Sequence, residues 1–322
     1  MPYNSRFLFL FGLLFLLYGG AAQAAAADPA AGYAPPATAP PASPAAKEET
    51  MSQLMVGDIA VTIISDGYRD LETKLFLAKS PDQEAAVKEI YPQGRTRNSL
   101  NVFLIKTGRE LTLVDTGGGA LLGPGVGNLP KVLAAVGVAP ADITRVVITH
   151  VHRDHIGGLA LNGVAAFPNA TILLSKAEHD FWLNPDNEAQ ASERARATFA
   201  TTREMLGLYA GKVRTVTLDE EILPGVALIA ADGHTPGHIA LLVRSKGQSL
   251  LIWGDLLHGL ALQLARPDIA IGFDSDPAAA VESRKTLLTR AAKENWLVTG
   301  VHVPGPEAYR IRAQGNGFEL RQ

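Results

Sequence analysis

An α/β sandwich, two mixed β-sheets packed face to face with helices on their outer faces, is the fold class predicted from the amino-acid sequence. Three observations predict it. Dense apolar runs of strand length recur between glycine-rich turns. Segments of helical spacing are interspersed among them. Strands and helices arrive in two comparable halves. Composition leaves room for such a domain: the 322 residues are 47% hydrophobic and 19% charged, with a formal net charge of -3. That suits one large or two small globular units. A charge so near neutral offers no reason to expect a nucleic acid or an anionic membrane surface as partner.

The elements follow in chain order. Residues 1–24 read as an export signal, with Arg6 in a short polar start, an apolar run from Phe7 to Tyr18, and Ala22-Gln23-Ala24 fitting a small-residue cleavage site. Because the apolar stretch drifts on through alanines towards Ala27, a retained signal anchor is the alternative. Cleavage implies a periplasmic or secreted protein with no membrane attachment. The chain has no cysteine, which excludes a lipid-modified anchor and leaves an exported domain without disulfide support. Residues 25–50 are alanine and proline with almost no bulky apolar side chains, the composition of an extended, disordered linker. The folded domain is expected over 51–322, roughly 270 residues, within the normal range for one domain of mixed structure.

Within it, "LMVGDIAVTIISDG", "NSLNVFLIKTG" and "RELTLVDTGGG" read as strands with turns between them. "NLPKVLAAVGV" has helical spacing, "ITRVVITH" is a short buried strand, and "ATILLSK" is another strand before a helical stretch from Glu188 to about Leu208. "GVALIAADG", "HIALLVRSKG" and "QSLLIWGD" make a second set of strands. "PAAAVESRKTLLTRAAKEN" is a helix opened by Pro277, and "WLVTGVH" is a last buried strand.

One stretch stands apart. "THVHRDHIGG" (149–158) places three of the chain's eight histidines within six positions. A core would have to satisfy every ring nitrogen, and an exposed loop has no use for that density. Moreover, five of the strand-like runs end on a residue of metal-ligating type: "LVDTGG" on Asp115, "VVITH" on His150, "ALIAADGH" on His234, "LLIWGD" on Asp255 and "WLVTGVH" on His302. Loops at the ends of rigid strands are where sites of fixed geometry are built. His150 and His152, two apart, face the same side of an extended backbone. Asp154 and His155 are adjacent and point apart, which suits a second metal beside the first. Gly157 and Gly158 let the backbone pack closely behind them. Imidazole and carboxylate accept zinc first, and manganese, cobalt or iron as well.

These residues, with "DGHTPGH" after the second strand set, Asp255 and His302, resemble the metallo-β-lactamase superfamily in its dinuclear hydrolase form. More narrowly, the chain is similar to methyl parathion hydrolase and related lactonases, through "LVDTG" with "GPGVG", "AFPNA", "EHDFWL", "HTPGH", "DSDP" and "IRAQGNGF". The likeness covers the whole expected domain. It implies that His150, His152 and His234 hold one divalent ion, that Asp154, His155 and His302 hold the other, and that Asp255 bridges both. Hydroxide from the shared water would then attack a carbonyl or phosphoryl centre. Asp255 and Asp154 are the implied catalytic carboxylates, Asp255 placed to relay the proton to the leaving group. A homodimer is also implied.

Around the metals, Asp115 is read as a carboxylate orienting a ligand histidine, His238 as a structural hydrogen-bonding residue, and His179 as exposed on a helix. Trp182 and Phe199 match aromatic residues that line the leaving-group pocket in the parathion hydrolases. His258 and Phe273 are further pocket candidates. The pattern is broken at Leu122, where an aromatic residue is expected, and after His302, where "VPGPEAYR" replaces an aromatic-Pro-Gly stretch. Both departures touch the pocket and spare the metal ligands.

Three functions follow. The first is an exported hydrolase of small neutral aryl esters or lactones, with organophosphate triesterase activity in question. The second is an acyl-homoserine lactonase that quenches signalling. The third is a metal-binding protein without turnover, which the complete ligand set disfavours. Branches that use a cysteine ligand, glutathione conjugates or a basic nucleic-acid face fit poorly.

Overall fold

The computed structural model describes residues 50–218 and 221–321. The expected signal, and the linker up to residue 49, lie outside the described residues. The first strand begins at Met51. No helix among the described residues is long and apolar enough to cross a membrane.

The first sheet runs β1 (Met51–Val56), β2 (Ile59–Glu72), β3 (Arg95–Thr107), β4 (Glu110–Val114), β5 (Ile143–Val147), β6 (Thr171–Ser175) and β7 (Val213–Val216). The second runs β8 (Glu221–Leu223), β9 (Val226–Ala230), β10 (Ile239–Ser245), β11 (Gln248–Ile252), β12 (Leu297–Thr299), β13 (Tyr309–Gln314) and β14 (Gly317–Arg321). In both seven-stranded sheets the spatial order follows the chain order. Both are mixed: β4, β5, β6 and β7 are parallel to their neighbours in turn, as are β11 and β12, and the other pairings are antiparallel.

The apolar runs lack a polar face because both sides of each sheet are covered. Alternate residues of one strand enter different cores. Ile63, Phe103, Ile105, Val114 and Val147 meet Leu228, Leu241, Val243 and Leu250 between the sheets. Their neighbours Ile64, Val102, Leu104, Leu113 and Val146 face α2 (Leu129–Ala135), α4 (Lys176–Trp182) and α6 (Glu193–Gly207). Leu242 and Leu251 face α7 (Leu260–Ala265) and α8 (Pro277–Lys293) on the opposite outer side. The two-sheet sandwich is therefore as predicted.

Details differ from the sequence reading. The helical stretch from Glu188 to Leu208 is two helices, α5 (Pro185–Gln190) and α6, broken at Ala191 where Ser192 caps the second by accepting from the Ala195 N–H. α1 (Pro81–Ile90) went unassigned, although Ser80 and Pro81 form a standard helix start. α3 (Arg153–Ile156) is a single turn inside the histidine motif, its His155 and Ile156 N–H groups donating to the His152 backbone carbonyl.

Candidate metal centre

The turns after β4, β5, β9, β11 and β12 carry Asp115, His150, His234, Asp255 and His302. β4 and β5 are parallel, and β9, β11 and β12 share one direction, because two antiparallel steps separate β9 from β11 and a parallel one follows. All five turns therefore leave along one edge of each sheet. Behind them the backbone is tight. A Cβ on Gly157 would lie 2.2 Å from the Gly118 oxygen, and one on Gly158 would lie 2.0 Å from the Thr116 oxygen. Only glycine lets the loop seat there.

Two donor groups result, each with its ligand atoms within 4.8 Å of one another: His150, His152, His234 and Asp255; and Asp154, His155, Asp255 and His302. The Nε2 atoms of His150 and His234 each lie 3.0 Å from Nδ1 of His152. Asp255 sits between the groups, with Oδ2 3.3 Å from His234 Nε2 and 3.1 Å from His302 Nε2, and Oδ1 3.1 Å from His155 Nε2. Asp154 Oδ2 lies 3.5 Å from His302 Nε2.

Whether a cation fits is answered by the unpaired atoms. His155 Nε2 and Asp255 Oδ1 are buried without a hydrogen-bond partner among the described residues, although they approach each other closely. Buried polar atoms are nearly always satisfied, so two acceptors aimed at a common point mark a place for a cation. The opposite ring nitrogens are committed. His155 Nδ1–H donates to Asp115 at 2.8 Å, His234 Nδ1–H to Asp274 at 2.9 Å, and His302 Nδ1–H to the Ser99 carbonyl at 2.9 Å. Each bond fixes the tautomer that leaves Nε2 free to ligate.

Electrostatics agree. Burial, reinforced by neighbouring histidines, pushes His150 and His152 well below the usual imidazole range. For His234 burial pulls the same way, but Asp255 and Asp274 outweigh it and push the ring up to about 9. Burial would raise Asp255, yet His155, His302 and His150 hold it well below the usual carboxylate range. A buried cluster this dense in imidazole and carboxylate lone pairs suits divalent cations.

A family model described as the metallo-beta-lactamase superfamily matches residues 95–302, from β3 to His302. The chain belongs to that superfamily. An N-acyl homoserine lactonase of Bacillus sp is 31% identical over 163 residues, covering 45% of this chain and 58% of that protein. Metallo-beta-lactamase domain-containing protein 1 of Homo sapiens is 48% identical over 146 residues, covering 40% and 48%. The chain thus spans about half the length of these curated relatives. Among solved structures, the hydrolase AbOPH superposes with a TM-score of 0.78 at 30% identity, covering 84% of this chain and 96% of that one. AidC, a dizinc quorum-quenching lactonase in complex with a product, gives 0.77 at 28%, with the same coverage.

The superfamily site is completed by residues of mixed legibility. Asp115 stands where the sequence reading put it, accepting from His155, from the Thr149 N–H and from the Thr149 hydroxyl, each at 2.8 Å. His238 spans two backbones: Nδ1–H donates to the Ala231 carbonyl at 2.8 Å, and Nε2 accepts the Asp255 N–H at 3.1 Å. His179 lies on α4, partly exposed, with Nδ1 3.0 Å from Asp180 Oδ1 at the surface. Of the pocket candidates, Trp182 stands edge-on to His152 with ring centroids 6.2 Å apart. Phe199 is buried in the core and packs against Trp182, ring centroids 4.7 Å apart. His258 lies 3.2 Å from Asp255 Oδ2, and half-buried Phe273 lies 5.6 Å from His258. Leu122 ends the short turn Gly119–Leu122, which meets the ligand loop where Arg153 donates to the Leu121 carbonyl at 2.8 Å.

Sequence reasoning missed Asn101, whose amide donates to the carbonyls of Gly300, Val303 and Gly305 and so ties the His302 turn to β3. It also missed Arg284, a buried guanidinium that donates to Leu256, Pro267 and Ile269 carbonyls beside Asp255 and Asp274. Neither residue has a local pattern that announces its role.

Proposed function

We propose that this chain is a dinuclear metal-dependent hydrolase that cleaves small neutral lactones or aryl esters, working after export to the periplasm or the medium. The observation that carries the reading is the pair of donor groups sharing Asp255, flanked by the apolar faces of Trp182 and Phe273. His150, His152 and His234 would hold one ion and Asp154, His155 and His302 the other, zinc being favoured by the imidazole-rich set. Bound there, the ions would supply Lewis acidity and a water acidified towards neutral pH.

The chain's own groups do the rest. Asp255 is buried, held ionised by the surrounding histidines and shared by both donor groups, so it is placed to hold the ions and to pass a proton on to the departing oxygen. Burial lowers His258 to about 4 despite Asp255 beside it, so its ring is neutral and adds no charge to the pocket. Trp182 and Phe273 supply the apolar part of the wall, with the Arg194 guanidinium over the Phe273 ring at 4.4 Å. Such a wall excludes water and suits an uncharged substrate.

A second reading, acyl-homoserine lactonase, is favoured by the lactonases among the relatives and shares every ligand. Turnover of an aryl lactone, an acyl-homoserine lactone and methyl parathion, before and after chelation and metal restoration, tests both. Chelator-sensitive turnover highest on the aryl lactone supports the first. A higher kcat/KM on the acyl-homoserine lactone selects the second. Methyl parathion as best substrate would assign a triesterase instead, and two bound metals without turnover on any of the three would overturn the hydrolase reading.

A further inference from the structure

Glu178 is a fully buried carboxylate with no cation at ion-pairing distance among the described residues. It lies in the first turn of α4, just inside the capping residue Ser175, and its two oxygens serve two different loops. Oε1 accepts the N–H of Val151 at 3.0 Å, the residue between His150 and His152. Oε2 accepts the Thr235 hydroxyl at 2.8 Å and the Gly237 N–H at 2.9 Å, in the turn that opens with His234. Ser175 tightens the same junction by donating to the Gly237 carbonyl at 2.6 Å. All these contacts reach the His150–His152–His234 group, and none reaches Asp154, His155 or His302.

We propose that Glu178 is a positioning residue for that one metal position: it clamps the two ligand loops together, and so sets the affinity there without touching an ion. This inference rests on the dinuclear reading above. A carboxylate is required because it accepts on every side. A glutamine amide has a single oxygen, so whichever way it turns, an NH2 group faces either the Val151 or the Gly237 N–H. One loop must let go. Partners of ligand loops typically set metal affinity by about 10- to 100-fold.

The test compares the full chain with Glu178→Gln, loaded with zinc or cobalt, by metal content, chelator competition and the cobalt absorption spectrum. The expected result is one equivalent held as in the wild type and the other weakened about 10- to 100-fold. Lost kcat should return at high metal concentration with KM unchanged, which a general loss of folding would not produce. Should Glu178→Gln fail to fold, Thr235→Val removes one donor and leaves the carboxylate; it should weaken the same equivalent by a smaller factor. Two equivalents at wild-type affinity, or equal weakening of both, in whichever variant folds would overturn the proposal. A wild-type chain that binds fewer than two ions would overturn the dinuclear reading itself, a result visible before any variant is made.

Discussion

Replacing Asp115 by asparagine isolates the orientation of one ligand. Asp115 leaves β4 with φ 58, a left-handed conformation that asparagine tolerates about as well as aspartate, so the backbone is not strained. Oδ1 accepts the Thr149 N–H, while Oδ2 accepts both the Thr149 hydroxyl and His155 Nδ1–H. An amide that keeps the first bond puts its NH2 opposite His155, donor against donor. The ring must give up the bond or move its proton to Nε2, the atom that has to ligate. Losing a hydrogen bond to a charged group costs about 1.5–3 kcal/mol. At about 1.4 kcal/mol per decade that is about 10- to 150-fold in affinity, felt most at the Asp154–His155–His302 position, because Asp115 bonds His155 directly and reaches His150 only through the Thr149 hydroxyl. Chelator competition monitored by cobalt absorption reads it directly. Asp115→Ala should be worse in stability, because alanine adds about 1–2 kcal/mol of left-handed strain. A folded Asp115→Asn with wild-type affinity at both positions would refute the claim that this carboxylate aims His155.

Other expectations follow from the same geometry. His234, raised to about 9, carries a proton at pH 7 that a metal must displace, so affinity should rise with pH until about 9. Binding heats should differ between buffers of unlike ionisation enthalpy, and equal heats would contradict it. For the metal-free chain the sign is opposite. A raised imidazole pKa stabilises fully below its unfolded value of about 6.5 and loses that contribution as pH climbs through about 9, so the apo melting temperature should fall across this window. Arg284→Met should strand the Leu256 and Pro267 carbonyls, while Ile269 keeps the Gln263 amide, and cost about 2–6 kcal/mol in a denaturant melt; a loss under about 1 kcal/mol would mean that the carbonyls find other donors. Gly158→Ala, with its Cβ 2.0 Å from the Thr116 oxygen, should cost about 1–3 kcal/mol and loosen metal at the His155 position. Unchanged metal content would show that the loop can yield.

What could be read from the sequence was what is local. The strands announced themselves because residues such as Ile63 and Ile64 are both buried on opposite faces, which leaves runs too apolar for any exposed segment. The donor residues were legible because each follows such a run within a few positions. The β13–β14 hairpin had no such signal: its strands alternate Arg310, Arg312 and Glu319 outward, so only a turn at Gly315 marks it. The break before α6 was hidden because helix-forming residues continue on both sides of Ser192. Asn101 and the Gly305 carbonyl it serves are 204 positions apart, and Glu178 joins segments on either side of it in the chain. No periodicity reports a partner at that distance, and only the fold supplies it.

The chain order of the strands has one more consequence. β1 to β7 form a ladder that is complete before β8 begins, and β8 to β14 form another. The first ladder contributes His150, His152, Asp154 and His155, and the second His234, Asp255 and His302, so neither possesses a complete donor group by itself. Metal capture is thus a report on how the two ladders lie against each other. A substitution deep in the seam between them, at Phe103 or Leu241, would slide one set of ligands past the other. It would be felt as weakened metal retention in a protein whose secondary structure is intact.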